Sequence, residues 1–280
     1  MKDWRPQTWA VRAQAEESTH HEHSVPMFLT SSFVFEDSEE MRAAFAGEID
    51  RNIYARFTNP NVEELSEKIR RLEGAEAGHS TATGMAAVFA TFGALLSSGD
   101  HILACRSLFG STHTILTKIL PRFGITHTYV DATDPDSWPG EIRENTRMIF
   151  VETPTNPAVD LVDLKWLGKL AAEKGVILVV DNCFATPILQ RPIEFGAHLS
   201  LHSATKYIDG QGRVMGGVVV GGKDLVQEIY DFARAPGPSL SPFNAWVLSK
   251  SVETLEVRME KHSENALVAA RWLEGRTGVA

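Results

Sequence analysis

The sequence predicts an α/β fold in which a mostly parallel sheet is covered by helices on both faces. Two runs, RMIFVE at 147–152 and VILVVD at 176–181, are continuously apolar and rich in β-branched residues. Strands buried on both faces read this way, whereas half-exposed strands alternate. Between the runs, Leu164, Leu167, Leu170 and Ala171 recur at helical spacing and stop at Gly175. A strand, a helix and a second strand in succession imply parallel neighbours. In such sheets ligands bind beyond the carboxyl ends of the strands, so the informative residues are expected there.

The other elements follow in chain order. Residues 1–60 show no sustained periodicity and are interrupted by Pro6, Pro26, Asn59 and Pro60. They are expected to form an arm with little core of its own, packed on a neighbouring subunit. The large domain is expected over 61–245. Asn59 and Pro60 supply an N-cap and a first-turn proline, and Leu65, Ile69 and Leu72 lead to a stop at Gly74. A buried helix is expected after Gly84, a strand at 101–105, a helix at 111–123 and a strand at 125–130. LSLHSA and VMGGVVVG supply further strands after VILVVD. From Ser241 onward one long helix is expected. Residues 246–280 read as a linking helix and the start of a truncated C-terminal domain.

Composition narrows the function classes. At 280 residues and 43% hydrophobic content the chain can bury a large core. A formal charge of −9 repels phosphates and argues against a nucleic-acid partner. The polar N-terminus lacks the apolar stretch of a signal peptide, and no run approaches membrane-spanning length, so a cytoplasmic location without membrane contact is expected. Cys105 and Cys183 both fall in apolar, strand-like runs and are expected as buried reduced thiols. His20, His21 and His23 have no acidic or thiol partners at ligand spacing and read as solvated, so no metal is expected.

The chemistry concentrates in LSLHSATKYIDG, residues 199–210. A lysine at the end of a buried strand can lose its charge by desolvation and then attack an aldehyde to form an imine. Lys206 stands in that position, flanked by the hydroxyls of Ser203 and Thr205, which a phosphate would accept. S-x-T-K alone also fits a lysine in a surface loop. Asp181, 25 residues earlier, ends the VILVVD strand, where a carboxylate can hold a pyridine nitrogen protonated. Alone it would fit a turn aspartate. TATGMAAV at 81–88 turns into a helix through small residues, presenting the amides of Gly84 and Met85 to an anion. Each of these is common singly; together they are not.

With YARFTNP (54–60), SLFGST (107–112) and ETPTNP (152–157), these motifs make the chain resemble the pyridoxal-phosphate enzymes of cysteine and methionine metabolism from about residue 8 onward. The resemblance implies a fold type I transferase that binds pyridoxal 5'-phosphate. It further implies cofactor contacts from Gly84, Met85, Phe109 stacked on the ring, Asn156 near its 3-hydroxyl, Asp181, Ser203, Thr205 and the imine-forming Lys206. Tyr54 and Arg56 would reach the phosphate of a neighbouring subunit, in an obligate homodimer or a homotetramer.

Phe109 stands where most relatives carry a tyrosine. It can stack but cannot move a proton, so acid–base work is expected of Lys206, with Tyr54. SLFGST combined with KYIDGQGR is most similar to the O-succinylhomoserine sulfhydrylases, which exchange a γ-succinyl group for sulfide and form homocysteine for methionine synthesis. Cystathionine γ-synthases and acetyl-ester sulfhydrylases share the same residues, and a cofactor-binding remnant without turnover is the alternative of another class. Arg258, Arg271 and Arg276 match no carboxylate-binding motif. Arg213, in the turn bounded by Gly210 and Gly212, is either an electrostatic element of the site or an arginine that closes the turn.

Overall fold

The computed structural model describes residues 4–13 and 18–279. Its centre is a seven-stranded sheet of β1 (Ala77–Thr81), β2 (His101–Cys105), β3 (Thr126–Val130), β4 (Thr146–Glu152), β5 (Ile177–Asp181), β6 (Leu199–Ser203) and β7 (Gly217–Gly221), in the order β1-β7-β6-β5-β4-β2-β3. β2 through β6 pair in parallel; β7 runs antiparallel to both β6 and β1. The predicted fold class therefore stands.

The helices are α1 (Pro6–Arg12), α2 (Ser38–Phe45), α3 (Pro60–Glu73), α4 (Gly84–Leu95), α5 (Gly110–Thr114), α6 (Trp138–Glu141), α7 (Leu164–Lys174), α8 (Thr186–Leu189), α9 (Lys223–Arg234), α10 (Pro242–Val252) and α11 (Leu255–Glu274). Their ends follow local chemistry. The Asn59 side chain accepts from the Asn61 amide at the start of α3, and Gly74 ends that helix with φ 71°, the left-handed region that favours glycine. Asp163 and Gly175 do the same for α7.

An apolar layer covers each face of the sheet. On one, Phe92 of α4 meets Phe150 of β4 edge-on at 5.1 Å, with α9 packed beside α4. On the other, Leu65, Ile69 and Leu72 of α3 and Leu248 and Val252 of α10 pack on Val218 and Val220 of β7. Val219 joins the first layer, as strand alternation requires.

Several local expectations are corrected. β1 and α9 were not anticipated. The arm carries α1 and α2, the latter capped by Asp37 accepting from the Glu40 amide; residues 1–3 and 14–17 of the expected arm lie outside the described residues. The helix expected at 111–123 is regular only over α5, continuing as a π turn (Ile115–Ile119) and a 3₁₀ turn (Leu120–Phe123) because Pro121 has no N–H to extend an α-helix. The long helix from Ser241 breaks between α10 and α11, where the Ser251 carbonyl accepts from Thr254 N and from Arg258 Nη2 at 3.0 Å. Cys183 lies past the end of β5, half-buried, rather than inside a strand; it and the buried Cys105 are free thiols. Among the described residues no helix is long and apolar enough to cross a membrane.

Candidate active site

The carboxyl ends of β4, β5 and β6 and the first turns of α4 and α5 enclose a cavity of about 480 Å³. Gly84, Met85, Phe109, Asn156, Asp181, Ser203, Thr205 and Lys206 all line it, together with Glu152, Cys183, His202 and Met215. A residue string that spans positions 84 to 206 is thus brought to one place by the parallel crossovers.

The floor is set by close packing of α4 on β6. A Cβ at residue 84 would lie 2.6 Å from the Ser203 Cβ, so only glycine lets the helix start this close to the strand end. Thr83 caps α4 by accepting the Ala86 amide at 3.0 Å. The amides of Gly84 and Met85, in the first turn, have no intrahelical acceptor and are free for an anion. Thr205 is tied across the turn to Gly216, accepting from its N–H at 3.1 Å and donating to its carbonyl at 3.3 Å. To donate to a phosphate its hydroxyl must give up that second, long bond.

Glu152 was not named from the sequence, although it ends an apolar run just as Asp181 does. The two are register partners on β4 and β5. Glu152 Oε2 accepts the Phe109 amide at 2.7 Å, so this side chain holds that wall of the cavity. Burial, then the neighbouring Asp181, pushes Glu152 up to about 7, and burial raises Asp181 to about 6 against the Cys183 amide and His202. A carboxyl whose folded value lies above its ordinary one loses stability as pH rises. For Glu152 the loss runs from about 4.5 to about 7 and amounts to about 3 kcal/mol. Glu152→Gln can still accept the Phe109 amide but cannot ionise. In urea titrations of the cofactor-free protein its stability relative to the parent is expected to improve by about 2–3 kcal/mol between pH 4.5 and pH 8. An equal difference at both pH values would contradict this picture of the pair.

Lys206 lies in the turn beyond β6, its amide donating to the Ser203 carbonyl at 3.1 Å. Its side chain is exposed, so this chain by itself does not bury it as the sequence argument assumed. Tyr54 and Arg56 are not at the cavity. They border a separate groove of about 780 Å³ beside Phe33, Phe35, Met41 and Phe45 of the arm. Arg56 packs against Phe57, 4.7 Å from the ring centre, and donates to the Arg234 carbonyl. Arg213 closes its turn, donating through Nε at 3.1 Å and Nη2 at 2.9 Å to the buried Asp209, and through Nη2 to Ser251. It does not line the cavity.

The model of the family described as Cys/Met metabolism PLP-dependent enzyme matches residues 7–280. The chain belongs to this family. Its cofactor is accordingly pyridoxal 5'-phosphate. An O-succinylhomoserine sulfhydrylase of Pseudomonas aeruginosa is 48% identical over 272 residues, 97% of this chain and 68% of that protein. An L-methionine gamma-lyase of Porphyromonas gingivalis is 39% identical over 275 residues, 97% of this chain and 69% of that protein. A crystal structure assigned as O-acetylhomoserine (thiol)-lyase of Campylobacter jejuni, carrying N'-pyridoxyl-lysine-5'-monophosphate, superposes with a TM-score of 0.92 at 31% identity, covering 98% of this chain and 76% of that one.

The cavity of this family member fits the cofactor. Free helix-start amides and two hydroxyls could take a phosphate at one end. A half-buried carboxylate could meet a ring nitrogen, and Phe109 could cover a ring face. Lys206 borders the same space.

Proposed function

We propose that the chain catalyses γ-replacement on O-succinylhomoserine with sulfide, giving homocysteine and succinate. The observation that carries this reading is the 48% identity to an O-succinylhomoserine sulfhydrylase across 97% of the chain, above the 39% to a methionine gamma-lyase. Phe109 supports it, since the wall that faces the reacting atoms offers no hydroxyl there.

In this reading Gly84 and Met85 hold the phosphate through their amides and Ser203 and Thr205 through their hydroxyls. Phe109 stacks on the ring, Asn156 sits by its 3-hydroxyl, and Asp181 accepts the proton of the ring nitrogen. Pyridoxal phosphate, when bound, supplies an electron sink for charge that develops at the substrate α-carbon. Lys206 Nζ would link to the cofactor and, once displaced by the substrate amine, would move one proton from Cα and one from Cβ, each handed on before the next is taken and both returned after hydrosulfide has replaced succinate at Cγ. Phe109, held by Glu152, and Asn156 limit the water that reaches those atoms. Tyr54 and Arg56 serve the site of a second copy of the chain, which makes a homodimer the smallest complete unit and a homotetramer its doubled form. The arm (1–60), the large domain (61–245) and the segment 246–280 are the working divisions, with a cytoplasmic location.

The test is turnover of the purified, cofactor-loaded protein. O-Succinylhomoserine with sulfide is expected to yield homocysteine and succinate in equal amounts. Methanethiol and 2-oxobutyrate from L-methionine, without homocysteine formation, would replace this reading by γ-elimination. Faster use of the acetyl ester would move the ester preference, and cofactor attachment without turnover of any of these would mark a binding remnant.

A further inference from the structure

Arg258 fits no motif in the sequence, and it stands in the first turn of α11, where a cation opposes the positive end of the helix dipole. Its partners explain the placement. Nη1 donates to the Tyr207 carbonyl at 2.6 Å, and Nη2 donates to the carbonyls of Ile208 and Ser251, each at 3.0 Å. Nε donates to Thr254 Oγ1 at 3.3 Å. Tyr207 and Ile208 directly follow Lys206. No backbone amide among the described residues donates to either of their carbonyls. Ser251 lies at the C-terminal, negative end of α10, so one guanidinium joins that helix end to the lysine turn. The approach is close: a Cβ at residue 210 would lie 2.2 Å from Nη1, and Gly210 has φ 69°. The Gly210 amide closes the turn by donating to the Lys206 carbonyl at 2.8 Å.

Other contacts run the same way. The buried Asp209 accepts from Ser251 Oγ at 3.4 Å, and the Tyr207 ring lies 5.2 Å from that of His262, one helical turn beyond Arg258. Tyr207 also meets Phe184, which lines the cavity, at 6.4 Å. The turn is thus tied at residues 207, 208 and 209 to the start of α11 and the end of α10. That support is firm, because the buried Leu248 and Val252 anchor α10 in the apolar layer over β7. The Lys206 side chain is exposed, so its place is set by the backbone that carries it. Adjacent carbonyls suit the planar fork of a guanidinium, which a lysine ammonium does not offer. We propose that Arg258 is a positioning residue for Lys206, holding the peptide groups after the lysine against the α10–α11 junction so that Nζ meets its partners from one direction. The inference rests on the assignment of Lys206 to the cofactor. Misplacing a reacting group by about 1 Å can cost about a hundredfold in rate, so a clamp on the next residues matters to the chemistry.

The experiment times imine absorbance after pyridoxal phosphate is added to the cofactor-free protein, then measures kcat and KM on the loaded protein with O-succinylhomoserine and sulfide. Arg258→Gln is expected to slow imine formation and kcat about tenfold each, with KM within about twofold of the parent. Arg258→Lys keeps the charge without the fork and is expected to recover about threefold of that loss. Both rates are read well below each variant's urea transition, so lost stability alone does not move them. Parental rates in folded Arg258→Gln would overturn the proposal and leave Arg258 as the cap of α10. If Arg258→Gln does not fold, Arg258→Lys decides, and parental imine formation there overturns the proposal equally. Imine formation needs no substrate, so this reading stands apart from the ester preference. Borohydride labelling of the parent separates the two assignments: label on another lysine removes Lys206 from the cofactor, whereas label on Lys206 with unchanged variant rates removes only the clamp.

Discussion

Lys206→Ala is expected to remain folded and to lose turnover by about 10⁴-fold, the upper range for removing a positioned proton-transfer group. The side chain is exposed, and its amide bond to the Ser203 carbonyl survives truncation, so unfolding should shift by no more than about 0.5 kcal/mol. Homocysteine formation and a urea titration on the same sample separate the two effects. A variant retaining a tenth of parental turnover would remove Lys206 from the proton transfers. Phe109 sharpens this expectation, because without a tyrosine hydroxyl in that wall fewer groups can substitute for the lysine.

Arg56→Ala is expected to fail alone and to recover in company. Tyr54 and Arg56 border a groove separate from the cavity, on a segment with exposed Phe45 and Val34, so they cannot serve the cavity of their own chain without moving. If they complete the site of a second copy, Arg56→Ala and Lys206→Ala chains refolded together form hybrid dimers with one intact site each. Random pairing gives about a quarter of parental activity from two inactive parents. Absence of recovery between folded variants, shown to exchange subunits, would contradict the shared site.

The sheet was legible because its central strands are buried on both faces and therefore written in continuous β-branched residues. β1 was not, because AGHST is mostly small and polar and is made a strand by its pairing with β7 and its place under α3. α9 carries a readable pattern in Val226, Ile229 and Ala233, which recur at helical spacing. The cavity residues were legible where position along a strand mattered: Asp181 ends β5, Lys206 follows β6, and Gly84 starts a helix that packs on Ser203. What sequence spacing could not supply was partnership across the sheet. Glu152 reads as the polar end of a strand until its register with Asp181 and its hold on Phe109 are seen. Glu73 and His202 lie 129 residues apart and meet only through the fold. Arg213 illustrates the converse: its glycine-bounded turn returns near the lysine strand as expected, yet the buried Asp209 takes its guanidinium.

The central claim is that the cavity at the ends of β4, β5 and β6 holds pyridoxal phosphate through Lys206. Borohydride reduction of the cofactor-loaded protein, followed by proteolysis and mass spectrometry, tests it most directly. The expected result is one phosphopyridoxyl mass addition, on the peptide containing Lys206, lost in Lys206→Ala. Addition at another lysine in the parent, or retention of the label on the variant, would place the cofactor elsewhere and contradict the assignment.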